Sequence, residues 1–257
     1  MTRLHMTFEC VDSMLAGTLD AAKGTTGLLL VTGGNEVRSG AFSGQAALAA
    51  RIAAAGFPVF RFDRRGVGDS GGENRGFRRS KRDIEAALAA FKAIAPTVDR
   101  VVGFGNCDAA SALMLASGAG CDALILSNPW TIDDADDTPP PSAVRARYME
   151  KLKDPKEILR LVTGGVNLGK LAKGLRQASK AKSAPTTLAG EMAAGLAEYD
   201  GPVQILLATS DRTAQAFAES WDRDDPRIAR CDRATHAWVE PRAREFLDQQ
   251  IIAALKG

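Results

Sequence analysis

Short apolar runs and Ala-rich segments with helical spacing alternate along this chain. Leu4 to Val11 and Met14 to Leu19, separated by a turn near Asp12-Ser13, predict an N-terminal hairpin. Gly27-Leu28-Leu29-Leu30-Val31 is apolar at successive positions, the pattern of a strand buried on both faces. Gln45 to Ala55 predicts a helix that ends at Gly56, a natural C-cap residue. Further strands are predicted at Val59–Phe62, Val101–Phe104 and Ala123–Leu126, with helices at Arg82–Ile94, stopped by Pro96, and Ala109–Ser117. The rhythm resumes late in the chain with a strand at Val203–Leu207, a helix at Thr213–Ser220, a strand at Arg227–Cys231 and a helix at Arg242–Lys256. Strands alternating with helices predict an α/β fold, a mostly parallel twisted sheet covered by helices on both faces.

Between Trp130 and Asp200 the alternation breaks. Asp133 to Pro141 is an acidic linker stiffened by Pro139, Pro140 and Pro141, and Ser142 to about Glu198 reads as helices without strands. The expected organisation is therefore a core at 1–130, an inserted helical lid at 131–200, and the rest of the core at 201–257. From Arg145 to Lys182 the lid holds eleven basic residues against Glu150, Asp154 and Glu157. Such a field suits an acidic partner, an acyl carrier protein or an anionic lipid surface, and equally an ordinary solvated helical face.

Composition narrows the function classes. The chain has 257 residues, 45% hydrophobic and 25% charged, which excludes disorder, collagen and coiled coil. Its formal net charge of +2 argues against a dedicated nucleic-acid binder. No run approaches the ~20 apolar residues of a membrane span, and the N-terminus lacks a signal peptide's apolar stretch. The expected location is the cytoplasm, without stable membrane insertion. Cys10, Cys107, Cys121 and Cys231 have neither metal-pair nor dense disulfide spacing and are expected to be free thiols.

Three glycine patterns compete for attention. Gly66-Val67-Gly68-Asp69-Ser70-Gly71 matches a dinucleotide fingerprint, but Gly72 to Gly76 continues the loop where that fold needs a helix. Gly164 to Lys170 approaches a phosphate-binding loop, yet Leu171 follows where a hydroxyl is needed and no strand precedes it. Gly105-Asn106-Cys107-Asp108-Ala109 differs from both: it ends a strand and opens a helix, the place of a nucleophile elbow. An isolated cysteine after a strand is as readily a core residue.

The rest of the chain changes that balance. A cysteine nucleophile needs a base, and the base an orienting acid. Of the two histidines, His5 lies in the hairpin and reads as a strand-face residue, while His236 follows the last strand. Asp211 follows the Val203–Leu207 strand; it serves equally as a helix N-cap, and Asp133, Asp134 and Asp232 are competing acids. Cys107, Asp211 and His236 each fall just past the carboxyl end of a different strand, where open α/β sheets gather their ligands. An oxyanion hole is expected from the backbone N–H of Asp108 and that of Gly34 or Asn35, in Thr32-Gly33-Gly34-Asn35. Asp108 sets a carboxylate beside the nucleophile. It opposes an oxyanion if it enters the pocket, favours the helix N-terminus if it turns there, or selects a cationic or hydroxylated substrate.

The order nucleophile, acid, histidine and the turn Asp63-Arg64-Arg65-Gly66-Val67-Gly68-Asp69-Ser70 resemble the α/β-hydrolase superfamily over nearly the whole chain. More narrowly, Gly33-Gly34, Arg61-Phe62-Asp63, Gly105 to Ser111 and Asn128-Pro129-Trp130 are similar to the exosortase A system-associated hydrolase 1 family, bacterial proteins linked to exopolysaccharide and protein-sorting loci. The resemblance implies an α/β-hydrolase fold with Cys107 in the usual serine position; its surroundings hint at thioesters, and Ala109 departs from the superfamily's common glycine. The combined expectation is an acyl hydrolase, thioesterase or esterase, using Cys107, His236 and Asp211 on an acyl ester or thioester, with no metal or cofactor. An acyltransferase with the same triad and a non-catalytic scaffold that binds an acyl carrier protein are the alternatives.

Overall fold

A computed structural model describes residues 2–132 and 187–257. The acidic linker, the basic segment 145–182 and the Gly164–Lys170 pattern lie outside the described residues. Among the described residues eight strands form one sheet: β1 (Thr2–Cys10), β2 (Ser13–Ala21), β3 (Thr26–Val31), β4 (Val59–Phe62), β5 (Arg100–Asn106), β6 (Ala123–Ser127), β7 (Val203–Ala208) and β8 (Ile228–Cys231). Their order is β1-β2-β4-β3-β5-β6-β7-β8. The β1–β2 hairpin and the β2–β4 pair are antiparallel, and every other pairing is parallel.

The parallel strands are apolar at consecutive positions because both faces are covered. Along β3, Leu28 and Leu30 pack with Leu48 and Ile52 of α1 (Gly44–Ala54). The same cluster holds Leu247 and Ile251 of the last helix, Pro241–Lys256. The alternate residues Leu29 and Val31 join Ile84 and Phe91 of α2 (Lys81–Ile94) and Leu113 and Met114 of α3 (Asp108–Leu115) on the other face. This two-residue alternation makes β3 the spine of both cores. Helix α4 (Thr187–Ala197), expected within the inserted segment, packs on that second face through Leu188, Met192 and Leu196. A Cβ at Gly195 would stand 2.2 Å from the Met114 carbonyl, so glycine permits the approach of α4 to α3. Helices α5 (Arg212–Ser220) and α6 (Pro241–Lys256) complete the two layers. No helix among the described residues is long and apolar enough to cross a membrane.

Strand order also positions the site. From β3 the chain moves to β4 on one side, and then returns to β5 on the other side of β3. Loops at such a switch diverge and leave a crevice past the carboxyl ends of the strands. Val31 pairs with Gly105, so the Thr32–Asn35 loop meets the β5–α3 turn. The Asp63–Ser70 glycines serve a compact turn: Ser70 Oγ donates to the Asp63 carbonyl at 2.7 Å, and Asp69 N–H donates to Asp63 Oδ2 at 3.1 Å. A Cβ at Gly68 would lie 2.4 Å from that same carboxylate oxygen. No helix opens here to receive a pyrophosphate, and Phe77–Arg79 is only a short 3-10 turn.

Candidate active site

Cys107 joins β5 to α3 with φ 63° and ψ −129°, a left-handed conformation that costs energy for any residue with a side chain. The corner is tight: a Cβ at Gly105 would lie 2.6 Å from the backbone of Ala109 and Ala110. The Cys107 N–H donates to the Ser127 carbonyl at 2.9 Å, tying the corner to β6. The thiol is half-buried, whereas Cys10, Cys121 and Cys231 are buried, and all four are free.

The structure brings Cys107, Asp211 and His236 together. His236 Nδ1 stands 2.9 Å from Asp211 Oδ2. The Asp211 hydrogen bond, followed by the hydrogen bond with Cys107, raises the His236 pKa to about 10, while burial opposes both. The imidazole is therefore held between the Asp211 carboxylate and the Cys107 thiol. Asp211 also caps α5, where its oxygens accept the N–H groups of Thr213 and Ala214 at 3.2 and 3.1 Å. His5 bonds to Thr18 Oγ1 at 3.1 Å on the hairpin, away from this cluster.

The backbone donors expected to form an oxyanion hole are engaged within the chain itself. Gly34 N–H donates to both carboxylate oxygens of Asp108, at 2.7 and 2.8 Å. The same carboxylate accepts its own residue's N–H and that of Ala109 at the start of α3. Both backbone donors assigned from the sequence thus point at one internal anion. The Gly33-Gly34 loop leaves room for it, since a Cβ at Gly33 would lie 2.3 Å from Asp108 Oδ1. Burial raises the Asp108 pKa, against the pull of Arg64 and of these N–H groups. Arg64, itself 3% exposed, donates through Nη2 to the Gly34 carbonyl behind the loop. Asn35, the alternative donor, is exposed, and its side chain accepts from Asn74 Nδ2 at 2.8 Å.

A group of polar residues that sequence reasoning missed supports the histidine. Asn106 Nδ2 lies 3.4 Å from His236 Nε2 and donates to the His236 carbonyl at 3.3 Å. Asn106 Oδ1 accepts from Ser127 Oγ at 2.7 Å and from Asn128 Nδ2 at 3.0 Å. Trp238 Nε1 donates to Ser127 Oγ at 2.9 Å, closing the network onto the histidine loop. The available signal was two polar strand ends, Asn106 of β5 and Ser127 of β6, which the register pairs directly.

These groups open into a cleft of about 410 Å³, bordered among the described residues by Gly33, Gly34, Cys107, Asp108, Trp130 and His236. Phe77 and Trp130 also border an adjoining cleft of about 260 Å³ containing Ile132 and Leu188. An elbow thiol at the switch point of a parallel sheet, faced by a histidine and an acid from later strands, is the site architecture of an α/β hydrolase.

The comparisons agree. The Alpha/beta hydrolase family profile matches residues 28–249, and the chain belongs to that family. It is similar in structure to the Pyrococcus furiosus esterase Pf2001, with TM-score 0.64 and 15% identity over 99% of this chain and 90% of that one. It is also similar to the alpha/beta hydrolase GrgF from Penicillium sp. sh18, with TM-score 0.65 and 16% identity over 98% and 97%. The esterase EaEST from Exiguobacterium antarcticum gives TM-score 0.59 and 13% identity over 99% and 100%. At these identities the likeness shows the shared fold. No curated protein matches the chain.

Proposed function

We propose that the protein is an acyl hydrolase, a thioesterase or esterase, with Cys107 as nucleophile, His236 as acid–base and Asp211 as orienting acid. The observation that carries this reading is the hydrogen-bonded chain from Asp211 through His236 to the elbow thiol. The two similar esterase folds support ester chemistry. Sulfur forms a thioester intermediate, which suits thioester and activated ester substrates better than amides.

In this reading Sγ attacks the acyl carbonyl carbon while its proton resides on His236 Nε2. The carbonyl electron pair moves to oxygen, and collapse expels the leaving thiolate or alkoxide, which takes the proton from Nε2. His236 then removes a proton from water. The hydroxide attacks the acyl-cysteine, and the acid departs as Sγ recovers its proton. Asp211 keeps Nδ1 as the donor and stabilises the imidazolium. The N–H groups of Gly34 and Asp108 hold the oxyanion, a contribution of roughly 3–4 kcal/mol per donor. To use them, the carbonyl oxygen must displace the Asp108 carboxylate.

The motifs shared with the exosortase A system-associated hydrolase 1 family support a cytoplasmic role in exopolysaccharide- or exosortase-associated metabolism, with an acyl carrier protein as the partner that presents the acyl group.

The test is intact-mass spectrometry during turnover of an acyl thioester, with and without a saccharide acceptor. Acylation confined to Cys107, absent in Cys107→Ala and slowed in His236→Ala, is the expected result. Transfer of the acyl group to the saccharide assigns an acyltransferase instead. Unchanged turnover in Cys107→Ala overturns the nucleophile, and no turnover by the wild type leaves the scaffold reading.

A further inference from the structure

Polar atoms in the cleft are unevenly distributed between donors and acceptors. Asp108 and Glu36 place carboxylates along it, and Gln45 borders it beside Glu36. Gln45 Nε2 reaches Glu36 Oε2 at 3.5 Å, whereas Gln45 Oε1 is buried and accepts no hydrogen bond. The Asp108 carboxylate carries the argument: it accepts the Gly34 N–H beside those of Asp108 and Ala109. Releasing the Gly34 N–H to a substrate carbonyl removes one of these donors from a half-buried carboxylate, and a donor on the substrate would restore it. Arg64 already supplies the counter-charge beneath the loop, so the missing partner is a neutral donor rather than a second cation.

We infer that the cleft selects acyl groups carrying a hydroxyl one or two carbons from the carbonyl. The hydroxyl donates to Asp108 as the carbonyl oxygen takes over the Gly34 N–H, and a further hydroxyl donor of the substrate meets the exposed Glu36 carboxylate. Asp108 is thus the specificity-determining residue: it withholds the oxyanion donors from plain acyl groups and yields them to hydroxylated ones. Acyl groups bearing a carboxylate face two like charges and are rejected. The inference rests on the acyl-hydrolase reading of the site and adds its substrate class.

The experiment compares kcat/KM for N-acetylcysteamine thioesters of butyrate, 2-hydroxybutyrate, 3-hydroxybutyrate and succinate. The better hydroxyacyl substrate is expected to exceed butyryl at least tenfold, with succinyl at least tenfold below butyryl. In Asp108→Ala the butyryl rate rises and the hydroxyacyl advantage shrinks to twofold or less; Glu36→Gln leaves the greater part of that advantage in place. Equal wild-type rates, or an advantage unchanged in Asp108→Ala, overturn the inference. Calorimetric binding of the same thioesters to Cys107→Ala reads the preference without turnover or an Asp108 variant. At least tenfold tighter binding of a hydroxyacyl thioester is expected, and equal affinities overturn the inference. Turnover retained by Cys107→Ala would instead overturn the nucleophile reading, and the affinity ratio would still decide the preference.

Discussion

Asp211 and His236 are joined at 2.9 Å by a carboxylate that also caps the helix following it. Asp211 thus caps this helix and meets the imidazole at once, with Oδ2 shared between Ala214 N–H and the ring. The cap bonds hold the carboxylate in one orientation independently of the histidine. Asp211→Ala is expected to cost about 0.5–2 kcal/mol of stability through the lost cap. Asp211→Asn, which keeps an acceptor for the helix, should retain most of that stability. Both should lower kcat on an acyl ester at least a hundredfold. Urea denaturation beside ester kinetics separates the two effects.

The four thiols are expected to differ sharply toward iodoacetamide. Burial pushes Cys10 up to about 11, aided by Asp83, and Cys121 up to about 12, aided by Asp122. Burial likewise raises Cys231. Cys107 alone is half-buried and faces an imidazole, and the thiolate is the reactive form. Brief alkylation at neutral pH followed by peptide mapping should label Cys107 at least tenfold faster than the others. His236→Ala should remove most of that difference.

Much of this arrangement was legible along the chain. Consecutive apolar positions in β3, β5 and β6 follow from burial on both faces, and Gly105 and Gly34 mark the sharp corners. The placement of Cys107, Asp211 and His236 past three different strands required only the alternation of elements. Strand order was not legible, because local periodicity does not say that β3 lies between β4 and β5. Nor was the direction of the Asp108 side chain: the sequence offered pocket and helix N-terminus as alternatives, whereas its carboxylate bridges α3 and the Gly34 loop at once. The hydrogen-bonded network of Asn106, Ser127 and Asn128 was not legible, because it is a property of facing strand ends rather than of spacing along one strand.

Protonation of His236 links the site to stability. Its pKa rises from 6.5 to about 10 in the folded chain, chiefly through the Asp211 hydrogen bond. A group whose folded pKa is raised binds its proton more tightly when folded, so its contribution is fully present below pH 6.5. It is lost as pH climbs from 6.5 through about 10. The wild type should accordingly lose stability over that window by more than Asp211→Asn does, because the variant lacks the carboxylate that raises the imidazole. Denaturation midpoints at pH 6, 8 and 10.5 check this; parallel curves for the two proteins would contradict it.

Asn106 is the hub between nucleophile strand and histidine loop. Its side chain receives Ser127 Oγ and Asn128 Nδ2 and donates to the His236 carbonyl. Asn128 Oδ1 in turn accepts Ala208 N–H at 2.9 Å, so the network reaches from β5 across β6 to the end of β7. Asn106→Leu is close in size but removes every one of the Asn106 bonds, leaving the Asn128 amide and the Ser127 hydroxyl short of an acceptor. The expected cost is about 1–3 kcal/mol. The histidine loop should also lose its fixed distance from Cys107, because Trp238 Nε1 and the His236 carbonyl are both anchored through this network. Cys107 alkylation in Asn106→Leu should therefore slow at least tenfold, with the helical circular dichroism signal unchanged. Wild-type alkylation in a destabilised variant would reduce Asn106 to a packing role and leave the imidazole held by Asp211 alone.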